Sequence, residues 1–151
     1  MINALDVLGK KIEDVRVVFS GAGASALSTA QHVCRLGVPA GHIMIVDTKG
    51  VIYEGRQEGM NEYKAPFAVK TDRRTLADAL EGADVFIGLS AKGAMTADMV
   101  ASMAKDPIIF ALANPDPEIL PEEVRHIRRR PHRSQWRDHY LDRRAIWPRL
   151  G

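Results

Sequence analysis

Six residues near the start of the chain have the types and the spacing of a phosphate-binding turn. The pattern is G-x-G-x-x-A, formed by Gly21, Ala22, Gly23, Ala24, Ser25 and Ala26. Gly21 permits a tight turn, and Gly23 has no Cβ, so that a pyrophosphate can approach the backbone. Ala26 keeps a following helix close to a sheet, and the free N–H groups at the start of that helix attract phosphate charge.

An acidic residue follows at the distance that a dinucleotide site requires. Asp47 lies 26 residues after Gly21, where a carboxylate meets the hydroxyls of an adenosine ribose. The surrounding sequence predicts a strand before the glycine turn, a helix after it, and a second strand over 43–46. Strand, glycine turn, helix, strand and acid together predict dinucleotide binding. A glycine turn in another kind of α/β protein is the alternative.

Two more turns follow apolar runs later in the chain. Ser90 and Ala91 come after the run at 85–87, and Asn114 comes after the run at 108–112. Because ligands bind beyond the carboxyl ends of parallel strands, we expect these three residues near a nicotinamide. Asn114 is suited to a hydrogen bond with a ribose or a substrate carboxylate. Serine and Asn-Pro are also common turn formers, which is the alternative for each residue alone.

The elements that must position these turns alternate between strands and helices. Such alternation predicts one α/β domain with a Rossmann-like, doubly wound parallel sheet. Pro66 predicts an irregularity inside one of the expected helices. The first helix is expected over 1–8, with Gly9 as its end, and the second over 24–36. Three more helices are expected, through residue 70 with Asn61 as N-cap, over 76–80 with Thr75 as N-cap, and over 97–104 with Thr96 as N-cap.

The composition describes a soluble globular chain of one domain, with 46% hydrophobic and 26% charged residues. No stretch approaches 18 consecutive apolar residues, and the N-terminus has no long apolar segment. We therefore expect a cytoplasmic protein with no membrane association. The single cysteine, Cys34, excludes an internal disulfide and is expected to be a small core residue.

The charge distribution changes near residue 125. Residues 125–151 contain nine arginines, no lysine and two acidic residues, whereas all seven lysines lie earlier. This change predicts a domain over 1–124 and a basic tail over 125–151, irregular and either disordered or translated out of frame. The tail's aromatic and arginine residues also allow a nucleic-acid-binding arm. We expect no nucleic-acid binding, because no zinc spacing or recognition-helix pattern accompanies them.

Four stretches of the chain closely resemble the cofactor domain of malic enzymes, especially the bacterial NADP type. They are VVFSGAGASA, IVDTKGVIYEGR, RTLADALEGADVFIGLSAKG and MAKDPIIFALANPDPEILPEE. The likeness runs through residues 2–124, and its motifs occur in the order that the family has. It implies oxidative decarboxylation of malate to pyruvate and CO₂ with NAD(P), and a divalent metal, Mg or Mn, in the complete enzyme.

The resemblance also implies roles for the turns. The turn at 21–26 would bind pyrophosphate, and Asn114 would lie near the nicotinamide and the substrate. Residues 47–49 would read the adenosine ribose. Asp47 favours the free 2′-hydroxyl of NAD, whereas Thr48 and Lys49 suit the 2′-phosphate of NADP. A similar turn accompanies NADP use in some relatives, so we favour NADP over NAD.

The chain departs from the family in its catalytic groups. The family's tyrosine acid, lysine base and metal carboxylates come mostly from an upstream domain, and Tyr53, Tyr63 and the lysines lie in no such motif. We therefore assign no catalytic residue and no metal ligand. We expect a chain truncated at both ends and inactive alone, with a missing catalytic domain or a homo-oligomer as its partner. A stand-alone dinucleotide sensor and an amino-acid dehydrogenase are the alternatives.

Overall fold

The computed structural model describes residues 1–128. The described part ends with a helix at 121–128, which runs across the boundary expected near residue 125. Residues 129–151 lie outside the described residues. The expectations of an irregular, disordered or out-of-frame tail, and of a nucleic-acid-binding arm, therefore concern residues that the structure does not describe.

Five strands form one sheet, and helices cover both of its faces. The strand order is β3-β2-β1-β4-β5, parallel throughout except for the short β3, which is antiparallel to β2. The elements are α1 (Ile2–Leu8), β1 (Val17–Ser20), α2 (Ala24–Arg35), β2 (Ile43–Asp47), β3 (Gly50–Val51), α3 (Leu76–Leu80), β4 (Val85–Gly88), α4 (Ala97–Ser102), β5 (Ile108–Ala111) and α5 (Pro121–Arg128).

The central strands β1, β2 and β4 are apolar up to their last residue because both faces of the sheet are buried. Val17 and Phe19 of β1 belong to a core cluster with α2, whereas Val18 belongs to a second cluster with α3 and α4. Successive side chains of one strand therefore serve two different cores. The predicted Rossmann-like, doubly wound α/β fold is confirmed.

The strand order reverses at β1, which is where such sheets bind their ligands. The chain passes from β1 to β2 on one side and then returns to place β4 on the other side. The carboxyl ends of the strands lie within one residue of each other, since Ser20 pairs with Val46, the residue before the end of β2, and with Gly88, which in turn pairs with Ala111. The turns that follow these strands therefore leave the sheet at one common edge.

Most of the predicted helices are present, with differences at their ends. The first helix ends at Gly9, which adopts a left-handed conformation with φ 64°. Thr75 caps α3 in a full capping box with Asp78. The helix after Thr96 stops at Ser102 instead of Ala104.

The helix predicted over 61–70 is wrong. Asn61 accepts hydrogen bonds from the backbone N–H groups of Tyr63 and Lys64, which is an Asx-type turn, and one 3₁₀ turn follows at Ala65–Phe67. Pro66 lacks the N–H that a longer helix would need. Within residues 1–128, no helix has the length and apolar character to cross a membrane.

Candidate functional site

Gly21 occupies a position that only glycine fits without rearrangement. Its φ is 114°, and a Cβ built on it would lie 2.7 Å from the carbonyl oxygen of Leu89. Its backbone N–H donates to the carbonyl of Val46 at 2.8 Å. The glycine turn therefore lies closely packed between the ends of β2 and β4. A tight turn is required here, where the strand order reverses.

Gly23 differs, because the chain itself supplies no reason for a glycine there. Its φ is −78°, which any residue adopts, and a Cβ on it would meet no atom within 4 Å. The backbone surface at this position is open to solvent. A ligand that approaches the backbone closely would use this space, so that the residue fits a pyrophosphate-binding cradle.

Helix α2 presents its N-terminus at the same place. Gly23 is its N-cap, no side chain caps it, and its first turn carries no acidic residue. The first N–H groups of an α-helix lack partners within the helix and carry the positive end of its dipole. Ala26 is buried against the sheet at 1% exposure. The structure therefore brings the predicted residues 21–26 together as one turn that leads into the uncapped N-terminus of α2.

Asp47 ends β2, and its carboxylate is held on both oxygens by neighbouring groups. Arg56 donates to the two oxygens at 2.7 and 2.8 Å, and Lys64 donates to one of them at 2.7 Å. The backbone N–H of Lys49 adds a fourth bond at 2.8 Å. Burial alone would raise the pKa of Asp47, but the hydrogen bonds from Lys64 and Arg56 more than offset it, so that the pKa is lowered.

Arg56 is a buried arginine whose role the sequence did not reveal. Its side chain is only 4% exposed, and besides Asp47 it donates to the carbonyls of Gly50, Val51 and Glu58. These bonds fold the segment after β3 back over the end of β2. Its only signal in the sequence is a basic residue nine positions after Asp47, which is too weak to predict such a contact.

Lys64 was also missed, because it lies in the segment that was expected to be helical. Its ammonium group bonds the carbonyl of Gly59 at 2.8 Å as well as Asp47. Lys49 points elsewhere and pairs with Glu58 at 2.6 Å, where both side chains are exposed. Thr48 is exposed. Two buried or half-buried cations thus surround the one carboxylate that was expected to meet a ribose.

The turn after β4 lies beside the glycine turn. The hydroxyl of Ser90 is 2.8 Å from the hydroxyl of Ser20, the last residue of β1. Ala91 and Asn114 are both exposed at the same edge. The peptide bond between Asn114 and Pro115 is cis. The structure therefore brings the predicted turns to one edge of the sheet, and it adds Ser20 as a residue that the sequence reasoning missed.

A buried carboxylate, Glu118, lies beneath these two turns. One of its oxygens accepts from the backbone N–H of Ser90 at 3.0 Å, and the other accepts from Ala113 at 3.1 Å. The side chain is fully buried. It was missed because its partners are backbone groups, which no side-chain pattern reveals.

A metal site does not fit the described residues. No group of three or more His, Cys, Asp or Glu side chains within residues 1–128 is close enough to hold a metal ion. Cys34 is half-buried against the core around α2, and burial raises the pKa of its thiol. A thiol with a raised pKa is a poor nucleophile at neutral pH.

The family model described as "Malic enzyme, NAD binding domain" matches residues 1–129. An NADP-dependent malic enzyme of Rhizobium meliloti is 56% identical over 128 residues, which are 85% of this chain and 17% of that protein. An NAD-dependent malic enzyme of the same organism is 45% identical with the same coverage of each chain.

A solved structure gives the same result for the fold. The NAD-dependent malic enzyme of Thermotoga maritima superimposes with a TM-score of 0.76 at 40% identity, covering 83% of this chain and 34% of that one. The chain therefore spans between about a sixth and a third of the length of these relatives. The resemblance found in the sequence is confirmed, and the chain belongs to the family of malic enzyme NAD-binding domains.

Proposed function

We propose that this chain is the cofactor-binding part of an NADP-dependent malic enzyme, whose complete reaction is the oxidative decarboxylation of malate to pyruvate and CO₂. The observation that carries the proposal is the open backbone at Gly23, at the uncapped N-terminus of α2. The family membership supports the choice of reaction, and the geometry supports the part of it that we assign to this chain.

The turn at 21–26 would bind the pyrophosphate. Gly21 shapes the turn, Gly23 leaves room for the phosphates, and the first N–H groups of α2 would donate to their oxygens. Ala22, Ala24 and Ser25 present small side chains that leave this surface accessible. The binding free energy at this end would come mostly from backbone groups, so that it would not depend on a charged side chain.

The turn at 47–49 would bind the adenosine ribose, with a preference for NADP. An ionised carboxylate has about four acceptor positions, and within residues 1–128 Asp47 accepts four hydrogen bonds, which come from Lys49, Arg56 and Lys64. One negative charge beside two positive ones leaves a net positive end of β2, which suits a 2′-phosphate. The NADP-dependent relative is also more similar to this chain than the NAD-dependent one.

Ser90, Ala91 and Asn114 would line the nicotinamide side of the cofactor. Their turns follow β4 and β5, next to the glycine turn, and Ser90 is oriented by its contact with the hydroxyl of Ser20. The bound nicotinamide would accept the hydride from C2 of malate. The contribution of this chain would be to orient the ring and to exclude water from one side of it.

The remaining groups for catalysis would come from a partner part of the protein, either a catalytic domain or another copy. Hydride transfer requires malate and nicotinamide to be held together, and on this proposal residues 1–128 would bind only the cofactor. We therefore expect no NADPH formation when the 151-residue chain is mixed with malate, NADP and Mn²⁺. Absorbance at the NADPH band checks this expectation. For its location, we propose the cytoplasm.

A pair of glycine substitutions tests the binding proposal. Gly23→Ala fills the open space without straining the backbone, so that we expect unchanged stability and NADP affinity lowered about tenfold. Gly41→Ala is the matched control, because the added Cβ also meets no atom within 4 Å. Gly41 lies outside the glycine turn, in the 3₁₀ turn at Ala40–His42. Isothermal titration gives the affinities, and thermal unfolding gives the stabilities.

Two results would contradict the proposal. The first is a wild-type chain that binds neither NADP nor NAD at millimolar concentration while it remains folded. The second is an affinity that Gly23→Ala and Gly41→Ala lower equally, because the effect would then be general and not located at the turn.

The choice between cofactors is tested at Lys64. Removing its charge with Lys64→Gln is expected to lower the NADP affinity about tenfold and to leave the NAD affinity within about twofold. Lys70→Gln is the control, since Lys70 is exposed and is not bonded to Asp47. A wild-type chain that prefers NAD, or a Lys64→Gln variant that loses both cofactors equally, overturns the NADP preference.

A further inference from the structure

Glu118 is a fully buried carboxylate that the proposed binding of the cofactor does not use. It is 0% exposed, and within residues 1–128 no cation lies within ion-pair distance of it. Burying a charge without a cation costs free energy unless hydrogen bonds compensate for it. An apolar side chain of the same size would fill the same space without that cost, so that packing alone does not account for the residue.

The compensation comes from two backbone N–H groups that belong to different loops. Ser90 donates to one carboxylate oxygen at 3.0 Å from the loop after β4, and Ala113 donates to the other at 3.1 Å from the loop after β5. Ala113 directly precedes Asn114. An ionised carboxylate only accepts hydrogen bonds, which matches two N–H donors that face its two oxygens.

The sheet leaves a place for this carboxyl group. Gly88, the last residue of β4, lies directly under it, and a Cβ on Gly88 would overlap with the carboxyl atoms. The backbone of Glu118 is fixed as well, because its carbonyl accepts from the N–H of Met95 at 3.3 Å. The carboxylate is therefore a fixed bridge between two loops that are 23 residues apart in sequence.

We propose that Glu118 is a positioning residue, which holds the loops carrying Ser90 and Asn114 in the arrangement that receives the nicotinamide half of the cofactor. The inference rests on the proposed binding of NADP. Glu118 lies beneath the loops and does not contact the ligand itself, so that it acts through the two backbone groups. Its influence should stop at the nicotinamide half, because the adenosine half binds at the end of β2 on the other side of β1.

This separation gives a test that a purely structural role would not satisfy. Glu118→Gln keeps one acceptor oxygen but turns an NH₂ group toward one of the backbone N–H donors, so that one bridge is lost. Affinities are measured for NADP and for adenosine 2′,5′-bisphosphate, which lacks the nicotinamide half. We expect NADP affinity to fall about tenfold, or about 1.4 kcal/mol, and bisphosphate affinity to change less than about twofold. Glu81→Gln, at an exposed position, is the control.

The outcomes separate this inference from the function on which it rests. A wild-type chain that binds neither ligand overturns the proposed function and the inference with it. A wild-type chain that binds both ligands, with a folded Glu118→Gln variant that binds NADP equally well, overturns the inference alone. Equal losses for NADP and for the bisphosphate also overturn it, because the residue would then support the whole domain.

A measurement on the wild-type chain covers the case in which the variant does not fold. The amide resonances of Ser90 and Ala113 are followed by NMR during titration with each ligand. We expect slow hydrogen exchange at both amides, and shifts of both resonances with NADP but not with the bisphosphate. Exchange as fast as in an unstructured peptide, or equal shifts with the two ligands, contradicts the assignment.

Discussion

At the scale of single residues, the cluster of Asp47, Arg56 and Lys64 shows that a buried motif residue can have contacts other than those the motif predicts. A carboxylate at the end of the second strand is expected to meet a ribose. Here it is 9% exposed and is bonded to a guanidinium group and an ammonium group. The acid thus orients two cations, and the cations set the charge of the site.

The cluster also predicts how the stability of the fold depends on pH. The pKa of Asp47 is lowered in the folded state, whereas an unfolded aspartate titrates near about 3.9. The stability that its ionised form provides is therefore complete above about pH 4, and it is lost as the pH falls through the lower, folded-state value. In Asp47→Asn this titration is absent. We expect the free energy of unfolding of Asp47→Asn at pH 7 to be about 3 kcal/mol lower than that of the wild type, because Arg56 loses its buried partner.

The measurement is urea unfolding of both proteins between about pH 7 and pH 2.5. The difference in unfolding free energy should be constant down to about pH 4 and should narrow below it. Glu58→Gln is the control, because Glu58 pairs with Lys49 where both are exposed, and an exposed pair contributes little. A difference between wild type and Asp47→Asn that stays constant down to pH 2.5 would refute the role assigned to the ionised carboxylate.

At the scale of elements, the sequence is informative wherever one local signal decides the structure. The central strands are continuous apolar runs, and Thr75 with Asp78 has the spacing of a capping box. Gly9 and Gly21 stand where the backbone has positive φ. Such features depend on a few neighbouring residues, so that strands, most helix starts and the glycine turn could be predicted.

The segment from 56 to 70 shows where local signals fail. Asn61 is a good helix cap in isolation, but its side chain instead closes a turn with Tyr63 and Lys64. Competing local hydrogen bonds of this kind are typical of asparagine. The path of the segment is determined by Arg56 and Lys64 reaching back to Asp47, which are contacts over 9 and 17 residues. Such contacts cannot be recognised from a sequence pattern that extends over only one helix.

The same limit applies to the candidate site. The turn geometry of residues 21–26 could be predicted, because glycine at position 21 indicates the positive φ that the turn requires, whereas the binding role of these residues stays a prediction. Glu118 could not, because it acts on the backbone of Ser90, 28 residues earlier. Ser20 escaped notice because its hydroxyl meets Ser90 across two neighbouring strands. Only the pairing of β1 with β4 brings these residues together.

At the scale of the whole molecule, the proposed site is made of the turns that end four strands of one sheet. β1, β2, β4 and β5 each contribute a turn to the same edge, and a Cβ added to Gly21 would clash with the carbonyl oxygen of Leu89 across it. A ligand that contacts several of these turns binds the folded state and has no equivalent site in the unfolded chain. Binding therefore stabilises the whole sheet and not one loop of it.

This coupling predicts a rise in the thermal midpoint when NADP is present. A ligand at 100 times its Kd adds about 2.7 kcal/mol to the free energy of unfolding. For a domain of this size, each kcal/mol shifts the midpoint by roughly 3 °C, so that saturation should raise it by about 8 °C. NADP added at the same concentration to Gly23→Ala should give a rise smaller by about 3 to 4 °C, since a tenfold weaker affinity removes about 1.4 kcal/mol. Scanning calorimetry over a range of NADP concentrations measures both shifts. Equal shifts in the two proteins would mean that the stabilising contact lies away from the glycine turn, because the two chains differ only in the one Cβ that occupies the space in front of α2.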